Sequence, residues 1–187
     1  LGWPIVPDIS SGLKVGLSKG DSKAAVINNL DHILLDPEAC SYLRPDCIIQ
    51  VGREPVSKRI ANFVASSCRE GNSKLVMLGN DLRQRDPPHV ASHQLALDPV
   101  ALNDMIRTWS FKHQRRGSSS CEIYRKYLLE LDSIASRSVS RCFQEDDSMN
   151  EPLIARTISE MIPRSSALYL GNSMPIRDME FYCATSD

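Results

Sequence analysis

The sequence predicts an α/β fold: a Rossmann-like sandwich with a mainly parallel sheet, followed by the start of a second α/β domain. Three observations predict it. Cys47-Ile48-Ile49-Gln50-Val51-Gly52 and Lys74-Leu75-Val76-Met77-Leu78-Gly79 are short apolar runs stopped by glycine, the pattern of parallel strands buried on both faces. Between them Val56, Ile60, Phe63 and Val64 recur at the spacing of one helix face, and strands alternating with helices at this distance mark βαβ units. Lys112 to Ser120 is polar, basic and Ser-rich, as connectors between domains are. The expected organisation is a sandwich domain over residues 1–112, a linker over 113–120 and an incomplete α/β unit over 121–187.

Taken in order, Pro4-Ile5-Val6-Pro7 is a short apolar strand that gives way to a Ser/Gly loop at Ile9 to Leu13. Lys14 to Ser22, rich in Gly, Ser and Lys, reads as a surface loop. Ala24 to Leu30 continues into Ile33-Leu34-Leu35 with helix-like spacing and stops at Asp36-Pro37, because proline disfavours helix in the residue before it. Gly71-Asn72-Ser73 is a turn, and Val90 to Ala96 is a shorter strand. Asp98-Pro99 opens a helix running to Trp109 and Phe111. His89 and His93 lie four apart on an extended segment, which does not bring them onto one helical face, so no metal site is expected. Ile123, Tyr124, Tyr127, Leu128, Leu131 and Ile134 mark an amphipathic helix, Gln144 to Asn150 an acidic loop, and Glu151 to Met161 a further helix. Ala167 to Leu170 then reads as a buried strand leading into a helix.

Composition narrows the function. With 187 residues and 42% hydrophobic content the chain can bury a real core. Its 22 Lys and Arg against 23 Asp and Glu leave no global field to attract nucleic acid or an anionic membrane. No apolar run reaches the ~20 residues of a membrane-spanning helix, and no charged-then-apolar leader is visible. The opening Leu1-Gly2-Trp3-Pro4 and the stop at Ser186-Asp187 read as the ends of a piece of something longer. Cys40, Cys47, Cys68, Cys121, Cys142 and Cys183 form no CxxC pair and read as reduced, buried, structural thiols.

The chemistry concentrates in Gly171-Asn172-Ser173-Met174-Pro175-Ile176-Arg177-Asp178. Asn and Ser cap exposed backbone N–H groups, and proline fits the first helical turn. A strand feeding a helix N-terminus points free donors and a partial positive charge into the adjoining crevice, to which Arg177 adds a full charge. Asn172 and Ser173 are either ligand contacts or simple caps, Arg177 either an anion receptor or a solvated helix residue, and Asp178 a helix-start carboxylate. A second cationic helix start, Lys58-Arg59, follows the strand at 47–52; cations there oppose the macrodipole, so it is either a surface accident or an anion site. The earlier copy of Gly-Asn-Ser, at residues 71–73, precedes its strand, away from the edge where ligands bind, and reads as a plain turn.

At Gly171 to Asp178 the sequence closely resembles the MenD family, thiamine-diphosphate-dependent synthases of 2-succinyl-5-enolpyruvyl-6-hydroxy-3-cyclohexene-1-carboxylate in menaquinone and phylloquinone biosynthesis. Leu1-Gly2-Trp3-Pro4 to Asp8 with Ser11-Gly12-Leu13 resembles the opening of that family's central domain. Gln50-Val51-Gly52 with Ser57-Lys58-Arg59 resembles its strand followed by Lys-Arg, and Asp86-Pro87 with His89 its Asp-Pro-His loop. The departures lie mainly in Lys14 to Ser22 and Lys112 to Ser120, where substitutions are cheap.

The resemblance implies most of a central domain and the first βα unit of a diphosphate-binding domain, in a parent that decarboxylates 2-oxoglutarate and adds the succinyl unit to isochorismate. Ser173 and Arg177 would then contact substrate carboxylate or the cofactor-bound intermediate, Lys58 and Arg59 would help hold a dianion, and Asn172 and Ser173 would lie near the cofactor diphosphate. None is an acid–base catalyst. The segments that anchor thiamine diphosphate and Mg2+ fall outside the chain, so the chain alone is expected to be inactive and the parent to be at least a dimer, plastid-located in a plant or alga and otherwise cytoplasmic. The rival reading is a non-catalytic Rossmann-like binding module; a nicotinamide dehydrogenase is disfavoured because no Gly-x-Gly-x-x-Gly follows a strand.

Overall fold

The structure, a computed structural model, describes residues 3–16, 24–80, 86–112, 119–146, 148–163 and 166–184. In chain order the elements are β1 (Pro4–Ile5), α1 (Leu13–Gly16), β2 (Ala25–Val26), α2 (Leu30–Ile33), α3 (Pro37–Tyr42), β3 (Cys47–Val51), α4 (Lys58–Glu70), β4 (Lys74–Gly79), β5 (Ala91–Ala96), α5 (Pro99–Lys112), α6 (Ser119–Glu145), α7 (Glu151–Met161) and α8 (Met174–Tyr182), with a 3-10 turn at Ile9–Ser11. The fold is α/β with parallel sheets. Two compact units result: Pro37–Ser119, and Gly2–Asp36 together with Ser120–Asp187. Residues 2–36 thus group with the last third of the chain. Most of the expected linker, residues 113–118, lies outside the described residues.

In the unit Pro37–Ser119 the sheet runs β3-β4-β5, all parallel, with Ile48 opposite Leu75 and Gln50 opposite Met77. β4 is central, and Leu75, Met77 and Leu78 are buried. β3 departs from the expectation of burial on both faces: its residues alternate between exposed and half-buried, and Val51 is 62% exposed. The reason is position, since among the described residues β3 has a neighbour on one side only. Between β4 and β5 the register slips, Leu75 pairing with Ala91 and Val76 with His93. The skipped Ser92 supplies its hydroxyl oxygen as acceptor for the Leu75 N–H at 3.3 Å, so that donor stays bonded across the bulge. α4 buries Ile60, Phe63 and Ala65, and at its C-terminus the Gly71 N–H donates to the Ser67 carbonyl at 3.0 Å.

In the other unit β1 and β2 pair in parallel, Pro4 with Ala25 and Ile5 with Val26, and the Ile27 N–H extends the ladder to the Ile5 carbonyl at 2.8 Å. This corrects the helical reading of residues 24–30. Only Leu30–Ile33 is helical there, because Ala25-Val26-Ile27 finds a strand to pair with. Ile27, Leu30, Ile33, Leu34, Leu128, Ala155, Met179 and Cys183 make the core. Asn29 ties the turn after β2 to α6, its N–H and side-chain amide both donating to Asp132 Oδ1, at 2.7 and 3.2 Å. Asn150 caps α7 through the Leu153 N–H at 2.9 Å.

Two further expectations fail. Ala167 to Leu170 is not a strand: among the described residues it has no ladder partner, and Tyr169 is 95% exposed. A lone extended segment cannot satisfy its own backbone or bury its side chains. The cysteines are free, as expected, but not uniformly buried. Cys47 and Cys142 are exposed and only Cys183 is fully inside, where burial pushes its thiol up to about 11.

Candidate anion-binding site

The motif residues sit at the entrance of α8. Pro175 stands in the first turn, as its fixed φ and missing N–H favour. Ser173 occupies the N-cap position but does not cap: its side chain makes no bond to the helix backbone, and its φ of 78° with ψ of −125° is the conformation of the second residue of a type II′ turn, which glycine ordinarily fills. A serine held there stores roughly 1–3 kcal/mol of strain. Gly171, Asn172 and Ser173 are exposed and Arg177 half-buried one turn along the helix. The first-turn N–H groups, the unengaged Ser173 hydroxyl and the Arg177 guanidinium form a donor set suited to a carboxylate or phosphate oxygen.

Asp178 is not the helix-start carboxylate expected, since no acidic residue stands in the first turn of α8. It is 5% exposed, and burial first, then the charge of Glu151, holds its carboxyl above the ordinary range. Lys14 is likewise no surface-loop residue. It is buried, and its ammonium donates to Glu180 Oε1 of α8 at 2.6 Å, while the Ile9 N–H donates to Glu180 Oε2 at 2.6 Å. Burial raises the Glu180 carboxyl, and Lys14 offsets part of that rise. Both groups escaped the sequence reading; the one available signal was an acidic residue on a helix whose neighbouring positions are apolar.

Lys58 and Arg59 lie in the other unit, in the first turn of α4, both exposed. Ser57 is fully buried and caps the helix, accepting from the Ile60 N–H at 3.1 Å, and no acidic residue stands in that first turn. The approach is shaped by Gly52, whose φ of 86° turns the chain out of β3 while its N–H donates to the Leu78 carbonyl at 2.8 Å. Asp86 braces its own loop: its carbonyl accepts from the His89 N–H at 3.0 Å and its carboxylate from the Ala91 N–H at 2.8 Å. The Asp-Pro-His segment is therefore a structural turn in this unit. The candidate residues thus fall into two groups, Asn172, Ser173 and Arg177 at the entrance of α8, and Lys58 and Arg59 in the first turn of α4. Among the described residues no cluster of His, Cys, Asp and Glu is arranged to hold a metal ion.

No family model matches the chain. Relatives do, along nearly all of its length. The 2-succinyl-5-enolpyruvyl-6-hydroxy-3-cyclohexene-1-carboxylate synthase of Rubrobacter xylanophilus is 29% identical over 182 residues, 97% of this chain. The chain is similar to one segment of these synthases. The enzyme of that name from Geobacillus kaustophilus is 28% identical over 187 residues, and the chloroplastic protein PHYLLO of Arabidopsis thaliana 27% over 189. The chain spans 29%, 30% and 10% of these three proteins' own lengths. The resemblance carried by the Gly171 to Asp178 motif is borne out over the whole sequence, along a stretch that is about 30% of each of the two bacterial synthases.

Proposed function

We propose that the chain is the central segment of a thiamine-diphosphate-dependent synthase that decarboxylates 2-oxoglutarate and joins the succinyl unit to isochorismate. The observation that carries this reading is the end-to-end similarity to synthases of that product name, over 97% to 100% of the chain, with the strained, uncapped Ser173 at the motif's centre as its local support. Both substrates are dianions, so their site needs fixed cations and matched donors. Arg177 and Ser173 grip a carboxylate, Arg177 through its planar fork. Lys58 and Arg59 supply positive charge for an anionic substrate. The backbone and side chains of Asn172 and Ser173 suit the diphosphate of the cofactor, which when bound supplies the electron sink for decarboxylation. The metal-binding and cofactor-activating groups belong to other segments of the parent, so the chain alone is inactive. The parent works as at least a dimer, in the plastid if its source is a plant or alga and otherwise in the cytoplasm.

The test is made in the parent protein. Arg177→Ala should lower kcat/KM by about a hundredfold or more with unchanged melting temperature, and Lys58→Ala should chiefly raise KM for one of the two dianions. Near-normal kinetics in both variants would remove these residues from the site, and a parent that makes no product from the two substrates would sink the whole proposal.

A further inference from the structure

Lys14 and Glu180 are side chains only 4% and 1% exposed, joined at 2.6 Å, with the second Glu180 oxygen held by the Ile9 N–H at 2.6 Å. Stability alone does not account for such a pair: two charges lose their hydration on burial, and apolar residues of similar volume commonly serve as well or better. Geometry offers an account. Glu180 lies three residues after Arg177 on the same helix and seven after its N-cap, Ser173, so it is about one turn from the first and about two from the second. Packing of Met179 and Cys183 presses α8 against the core, yet apolar contacts tolerate small rotations and slides. A carboxylate bonded in two directions, by an ammonium from α1 and by a backbone N–H of the preceding 3-10 turn, does not.

We propose that Lys14, Glu180 and the Ile9 N–H form a positioning device that fixes the rotation and depth of α8, and so the direction of Arg177 and the high-energy backbone of Ser173. Strain of that kind persists only where the surroundings over-determine it, and the pair provides the constraint from the helix side. The inference rests on reading Ser173 and Arg177 as anion-binding residues; Lys14 and Glu180 touch no substrate.

A lone buried ammonium or carboxylate can itself prevent folding, so the deciding variant is the double replacement Lys14→Met with Glu180→Leu, which keeps the volume and removes the bonds. Two measurements are made. In the 187-residue chain, the amides of Asp178 to Tyr182 should exchange with solvent about tenfold faster or more, while the melting temperature stays within a few degrees of the parent sequence. In the parent synthase, KM for an anionic substrate should rise about tenfold with kcat within a factor of about three. Unchanged exchange overturns the pinning of α8. Faster exchange with unchanged KM overturns its service to Arg177. Absence of turnover in the unmutated parent overturns the functional reading instead, and the exchange measurement still decides whether the pair holds the helix.

Discussion

The tripeptide Gly-Asn-Ser folds in two ways in this chain. At residues 71–73 it is Asn72 that takes the positive φ, 58°, a left-handed conformation that asparagine tolerates. Ser73 is 5% exposed, its hydroxyl donates to the Pro45 carbonyl and its N–H to the Ser67 carbonyl. At residues 171–173 the positive φ falls on Ser173 itself, at 78°, and the side chain makes no capping bond. One turn has its serine satisfied internally and relaxed; the other is strained and leaves its donors outward. What separates them is context: the first closes a helix and enters a strand, the second enters a helix that carries an arginine one turn on. A tripeptide is silent about function until its place between elements is known.

That contrast can be broken by matched substitutions. The largest expected effect is at the glycines. A Cβ on Gly71 would lie 2.7 Å from the Ser67 carbonyl oxygen and 3.0 Å from Arg44 Cδ, so Gly71→Ala should cost about 1–3 kcal/mol in urea denaturation. Gly171 has nothing within 4 Å of that position, so Gly171→Ala should stay within about 0.5 kcal/mol. Equal losses at the two sites would erase the distinction.

The serines should respond with opposite sign. Ser73→Gly removes a buried hydroxyl's bond and should destabilise by about 1–2 kcal/mol. Ser173→Gly relieves a disfavoured φ, and should leave the midpoint unchanged or raise stability by up to about 1 kcal/mol even after the added freedom of the unfolded chain. A Ser173→Gly variant clearly less stable than the unmodified chain would show that the serine is held by contacts rather than tolerated under strain.

The smallest effect concerns charge. Asp178 has its folded-state carboxyl raised by burial and by Glu151. Its contribution therefore favours the fold at low pH, where it is protonated in both states, and turns unfavourable as pH rises past the ordinary carboxylate range, because the folded form resists ionising. Asp178→Asn should be more stable than the unmodified chain at neutral pH, with the two denaturation midpoints converging towards acid. A difference independent of pH would remove ionisation as the cause.

Much of this was legible from local pattern. β4 and α7 have the expected bounds, Lys74–Gly79 and Glu151–Met161, because glycine, or a capping asparagine followed by proline, punctuates them. Ala25-Val26-Ile27 reads as helix because so short an apolar run fits a helical period as well as an extended one; the strand at Ala25–Val26 is decided by β1, about twenty residues earlier. Lys14 reads as a surface-loop residue because its partner is 166 residues away in sequence, beyond the reach of local pattern. The candidate site residues stand out through their motif, whereas the strain at Ser173 does not, because nothing in the sequence marks a serine for a positive φ.

The bond between Ile9 and Glu180 joins residues 171 apart in the chain, and this has a consequence for birth of the protein on the ribosome. At about 5–20 residues per second, Lys14 is made roughly 8–33 s before its carboxylate partner. During that interval a lysine destined for the interior, together with Ile9, Ile27 and Leu30 of the same core, must wait in an unfinished surrounding, while the βαβ elements between Pro37 and Ser119 have all their strand partners close at hand. The elements between Pro37 and Ser119 are thus free to fold before α8 and the candidate anion site set on it are made.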